Sequence, residues 1–152
     1  DSSLVARRID WQDLLLVASP RYLETHGTPR HVEDLSGHSA ILFRMPATGR
    51  NRPWQLRAGR RDITLTPEHR TQVNDGEGIV AAACLGLGIA QIPDNMVREE
   101  LARGELVELL PAHRPAPMPI SVVVPGSRLQ PPRVRALIEC LQGLQGLRQR
   151  RR

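Results

Sequence analysis

Residues 73–97, "VNDGEGIVAAACLGLGIAQIPDNMV", hold most of the groups in this chain that could do chemistry: carboxylates, one thiol and four glycines. Asp75 and Glu77 could pair for acid–base work. Cys84 could be a nucleophile, and "DGEG" or "GLGIA" could cradle a phosphate. Each pattern fails on its own terms. A dinucleotide loop needs G-x-G-x-x-G between a strand and a helix, so that backbone amides approach a pyrophosphate. "DGEG" has two glycines and puts Asp75 and Glu77 where the anion would sit, while "GLGIA" leads out of a helix into a strand. All 21 basic residues are arginine, which rules out a P-loop lysine. Cys84 falls inside a run of small apolar residues that reads as helix, where a thiol is inert packing.

Other catalytic arrangements are missing too. No serine occupies a G-x-S-x-G elbow. The histidines at 26, 31, 38, 69 and 113 all sit in polar, loop-like sequence and read as surface residues. Neither Cys84 nor Cys140 has a second cysteine or a histidine at ligand spacing, so both read as buried free thiols in a reducing compartment. The sequence points to no enzyme, no cofactor and no metal.

A binding site without turnover remains, and it depends on the elements that would position it. "DLLLVASP" (13–20) is a short apolar run stopped by proline, which suits a buried strand. A helical turn in "TPRHVEDL" leads to a second strand, "SAILFR" (39–44). Residues 45–62 are rich in Gly, Pro and Arg and read as loop, with a short strand at 54–56. "ITLTP" and "RTQV" follow as strands. Asn74 is placed to cap the next helix, with Glu77 three residues on completing a capping box and Gly86 ending it. "GIAQIP" then reads as strand, "NMVREELARG" as a helix capped by Asp94, and "ELVELL" as strand. This alternation over 70–110 predicts parallel strands joined by right-handed crossovers. "ISVVVPG" is a further strand. Val134, Leu137, Ile138, Leu141 and Leu144 recur at helical spacing and predict one buried face.

In open α/β sheets, ligands lodge beyond the carboxyl ends of the strands. Three segments are predicted to meet at such an edge: "ASP", "FRM" and "NDG". They offer Ser19 and Asn74 as hydrogen-bonding groups, Phe43 as an apolar wall and Arg44 as a fork for a carboxylate. Asp75 and Gly76 complete the candidate set, and Gly76 and Gly78 would keep the helix entrance narrow and its amides accessible. Singly, each has a plainer role, since Asn74 can be a cap, Phe43 core and Arg44 solvated. Only the shared position makes a pocket.

Composition sets the class. Hydrophobic residues are 40% and charged residues 24% of the chain, as in ordinary globular proteins. The longest apolar run, 79–92, is too short to span a bilayer and is broken by Gly86 and Gly88. The net charge of +5 falls to +1 without the four arginines of the terminal "RQRRR". The other arginines are dispersed among acids and the few aromatics are scattered, unlike a nucleic-acid face.

Taken in order, six stretches resemble the effector-binding domain of LysR-type transcriptional regulators. They are "DSSLVARRI", "LLLVASPRYLETHGTPRHVEDLSGHSAILF", the isolated Trp54, "VNDGEGIVAAACLGLGIAQIPDNMV", "ARGELVELLP" and "PISVVVPGSRLQPPRVRALIECL". The resemblance implies an α/β fold like the type II periplasmic binding proteins, with two lobes joined by crossover strands. Residues 21–116 would be a complete second lobe, with 1–20 and 117–152 as parts of the first. It further implies a cytoplasmic, non-catalytic sensor of a small and, given Arg44, anionic effector. DNA would be contacted only through a winged helix-turn-helix that this sequence lacks, since the opening residues read as the interior of a longer chain. With the first lobe partial, the strands "LLLVAS" and "ISVVV" are expected to expose apolar edges and drive homo-oligomerisation. The alternative is a stand-alone solute-binding protein of the same fold.

Overall fold

Leu14 to Ala18 are five consecutive apolar residues, all buried, and they mark the centre of the larger of two units. The computed structural model describes residues 4–125 and 131–149. In chain order the elements are β1 (Leu4–Gln12), β2 (Leu14–Ala18), α1 (Pro20–His26), β3 (Ala40–Phe43), β4 (Trp54–Ala58), β5 (Arg61–Leu65) and β6 (His69–Val73). They continue with α2 (Gly76–Cys84), β7 (Ile89–Pro93), α3 (Arg98–Arg103), β8 (Val107–Leu109), β9 (Met118–Pro125) and α4 (Pro132–Gln149). Contacts divide the chain into Asp13–Ala116 and a second unit from Asp1–Gln12 with Pro117–Arg152. The expected boundary after residue 20 therefore moves to Gln12, because β2 belongs to the sheet of the larger unit.

That sheet has the order β6-β3-β7-β2-β8. β3 runs parallel to both β6 and β7, whereas β2 runs antiparallel to its neighbours β7 and β8. The strands over 70–110 thus share one direction, as expected, but they are not adjacent. β3 separates β6 from β7, and the inverted β2 separates β7 from β8. With a partner on each side, β2 has no open edge, so "LLLVAS" cannot drive association as expected.

The alternation of side chains along each strand feeds two apolar layers. Leu16, Ala18, Leu42 and Ile89 pack with Tyr22 of α1 and with Trp54 and Leu56 of the β4–β5 hairpin. Leu15, Val17, Ile41, Ala90 and Ile92 pack on the other face with Ile79, Ala82 and Ala83 of α2, and with Val97 and Leu106. Burial on both faces explains why these strands read as continuous apolar runs. The hairpin is tied to the sheet by one side chain. Gln91 of β7 accepts the Gln55 N–H at 2.9 Å and donates to the Gln55 carbonyl at 2.6 Å, imitating a strand partner.

In the smaller unit, β1 pairs with β9 antiparallel, with an irregularity between Arg8 and Asp10. Val124 and Ile138 are its buried apolar residues among those described, while Leu4, Val5, Trp11, Val123 and Leu137 are exposed. The predicted buried face of α4 is therefore narrower than the spacing suggested: Leu137 points to solvent, and the side chain of Leu144 lies outside the described residues.

Candidate functional site

Strand β6 lies beside β3 with Phe43 opposite Val73, and the pairing continues one step further. The Arg44 N–H donates to the Val73 carbonyl at 2.7 Å. Arg44 also bridges to Asn51, and the chain between them turns back on itself. The Met45 N–H donates to Arg50 O at 2.9 Å and the Gly49 N–H to Met45 O at 2.8 Å. Gly49 has φ +66°, a left-handed conformation that this tight return requires and that glycine adopts without strain. Its carbonyl accepts a hydrogen bond from Arg44 Nε at 3.1 Å. Among the described residues this bond is what orients the guanidinium, through its Nε edge.

An open cavity of about 510 Å³ lies here, lined by Arg44, Met45, Pro46, Gly49, Gln72, Val73 and Asn74. It sits beyond the carboxyl ends of the parallel strands β3 and β6, beside the entrance to α2. Among the described residues of this lining Arg44 alone is formally charged. Met45, Pro46 and Val73 supply apolar wall, and Gln72 and Asn74 supply amides.

The helix entrance differs from expectation by one residue. Asp75, not Asn74, is the cap: it is extended, at φ −131° and ψ 157°, and its Oδ1 accepts the Gly78 N–H at 2.6 Å. The approach depends on glycine, because a Cβ at Gly78 would lie 2.6 Å from Asp75 Oδ2 and 2.9 Å from Val73 Cγ1. Asn74 is left out of the cap and on the cavity wall.

Of the six residues proposed from sequence, the structure brings Arg44 and Asn74 together in the cavity lining. Phe43 is half-buried and packs against the layer under α2. Asp75 serves the helix, and a Cβ at Gly76 would lie 2.3 Å from the Met96 Cε, so that methionine covers it. Ser19 does not join them. Because β2 is inverted, its carboxyl end reaches the opposite edge of the sheet, where Ser19 is buried and its hydroxyl accepts the Tyr22 N–H at 3.4 Å to cap α1. Sequence reasoning missed Met45, Pro46, Gly49, Gln72 and Val73; the proline and glycine closing soon after "ILFR" were the available signal.

Outside the cavity, the cysteines and histidines depart from expectation. Burial, then Glu100 and Glu105, pushes the half-buried Cys84 thiol up, keeping it protonated. Cys140 is exposed, not buried. His38 is half-buried beside Tyr22, and His113 Nδ1 lies 2.9 Å from the Arg57 carbonyl, so neither is a plain surface histidine. Among the described residues no cluster of His, Cys, Asp and Glu could hold a metal, and no helix is long and apolar enough to cross a membrane.

Residues 1–145 match the LysR substrate binding domain. The chain belongs to that family. An HTH-type transcriptional regulator of Haemophilus influenzae is 33% identical over 134 residues, covering 88% of this chain and 46% of the relative. The chain spans about half the length of the curated relatives it matches. The full-length Vibrio cholerae virulence activator AphB, a member of the LTTR protein family, is similar at 33% identity and a TM-score of 0.78, over 95% of this chain and 49% of that one. The regulatory domain of CrgA, a LysR-type transcriptional regulator from Neisseria meningitidis, is 27% identical with a TM-score of 0.77, over 95% of this chain and 71% of that one. The fold is accordingly the mixed α/β fold of LysR regulatory domains, related to the periplasmic binding proteins.

Proposed function

We propose that this chain senses a small anionic effector, bound in the cavity at the ends of β3 and β6, for a LysR-type regulator of transcription. The observation that carries the reading is Arg44. Its Nε is committed to Gly49 O, which aims the guanidinium at a cavity whose other lining residues are amide, apolar or glycine. A fork held along one edge is suited to a carboxylate. Among the described residues the lining offers no thiol, hydroxyl, imidazole or carboxylate, which supports binding without turnover.

The relatives are helix-turn-helix regulators, and this favours a sensor over a stand-alone solute-binding protein. In such a regulator the effector would stabilise one arrangement of the assembly over another and so alter how a separate DNA-binding domain meets its site. That role places the protein in the cytoplasm with its DNA. The exposed Leu4, Val5, Val123 and Leu137 of the smaller unit support a homo-oligomer. A monomer by light scattering at high concentration would count against assembly.

The test of the site is a panel of small carboxylates screened by thermal shift on the intact regulator, followed by calorimetry on any hit. Arg44→Ala is expected to weaken a hit by at least about tenfold, the scale of a charge-assisted hydrogen bond. An unchanged affinity would remove the reading.

A further inference from the structure

The opposite edge of the sheet carries a polar cluster that the cavity does not use. Tyr22 of α1 is 3% exposed, and its ring stacks on His26 with centroids 4.3 Å apart. Its hydroxyl accepts the Ser39 N–H at 2.9 Å and lies 3.2 Å from Nδ1 of His38. A backbone N–H can only donate. That leaves the hydroxyl's own proton available to His38 in the tautomer whose Nδ1 is bare and whose ring proton sits on Nε2. His26 is built the other way. Its Nδ1 lies 3.0 Å from the Tyr22 carbonyl and 2.7 Å from the Thr25 hydroxyl, whose own proton goes to that same carbonyl at 3.0 Å. A proton on Nδ1 serves both contacts, and a second one on Nε2 leaves them in place.

We propose that Tyr22, His38 and Ser39 form a pH-sensitive latch, fastening α1 to the start of β3 while His38 is neutral and releasing it once His38 is protonated. Protonation converts Nδ1 from acceptor to donor. The hydroxyl of the buried Tyr22 would then face donors on both sides, and its own proton would lose the partner it has in His38, which weakens the junction. The latch reaches beyond α1, since Ser39 O accepts the Ile89 N–H at 2.9 Å. Release would loosen the start of β7 as well.

The groups around His38 set where this happens. Burial of the ring, then the charge of His26, holds His38 below its ordinary value, while Asp34 on the neighbouring turn acts the other way. With the folded value depressed, the latch is whole at and above the ordinary imidazole value of about 6.5. The stability it supplies is lost as pH falls from there through the folded value.

The test is residue-resolved hydrogen exchange of the Ser39 amide in the full chain, from about pH 7.5 to about pH 5, corrected for intrinsic rates. Protection should fall roughly tenfold or more in the wild type, the scale of one unit of titration. His38→Gln keeps an acceptor that cannot become charged and should hold protection within about threefold. His26→Gln should lose protection as the wild type does. The proposal is overturned by a wild type that shows no loss, or by a His38→Gln variant that loses protection equally. If that variant fails to fold, ¹⁵N shifts of the wild-type imidazoles decide. Nδ1 of His38 should be unprotonated at neutral pH, and a protonated Nδ1 overturns the latch.

Discussion

The two edges of the five-stranded sheet use their polar residues differently. Where β3 and β7 begin and β2 ends, Ser19 caps a helix, Tyr22 holds Ser39 and His38, and the Ser39 carbonyl receives Ile89. Nearly every polar group there fastens one segment to another. Where β3 and β6 end, Arg44 gives one nitrogen to Gly49, and Asn74 has yielded the cap to Asp75. Arg44 and Asn74 both line open volume. Substitutions at the first edge should therefore cost stability, and those at the second should cost binding.

Glycines make the sharpest test. At the fastened edge, Gly88 has φ +152°, and a Cβ there would lie 2.3 Å from Ser39 O and 2.9 Å from Ser39 C, both backbone atoms that cannot swing aside. Gly88→Ala should destabilise by about 3 kcal/mol or more, since overpacking and backbone displacement act together. Gly49 also has positive φ, +66°, but its nearest neighbour to a Cβ is the flexible Arg44 Nη2 at 3.7 Å. Gly49→Ala should cost only the left-handed backbone term, about 1–2 kcal/mol. Urea titrations read both from the midpoint at constant slope. Equal losses would mean that the two edges are fastened alike.

How much of this the sequence revealed depends on whether a feature is local. β2, β3 and β7 were readable because strands buried on both faces are short, apolar and bounded by turn residues. Their order was not, because nothing within "LLLVA" records that β2 would be inverted between β7 and β8. That one inversion sends Ser19 to the far edge. The cap missed by a single residue because Asn74 and Asp75 are both good caps. The choice falls to Asp75 because only there does a carboxylate reach Gly78. His38 read as surface because its partner Tyr22 lies 16 residues away. Arg44 and Asn74 were found because they directly follow strands that end together, whereas Gln72 and Met45 needed the β3–β6 register to be seen as neighbours.

The smallest expected effect separates the edges most cleanly. Arg44→Ala should move the unfolding free energy of the unliganded protein by no more than about 0.5 kcal/mol, as for exposed side chains without a structural task. The reason lies in what would be lost: one bond from Nε to a solvent-facing loop carbonyl that water can replace. The 45–50 loop keeps its own closure through Met45, Thr48 and Gly49. Its hold on β6 through the Arg44 amide is backbone and survives the substitution. A large loss of stability would instead show that the guanidinium is a strut for the loop, used up like the groups at the other edge. The cavity would then have no cation reserved for a ligand. Near-neutral stability together with lost carboxylate binding would show that one sheet keeps its recognition and its fastening at opposite ends of its strands.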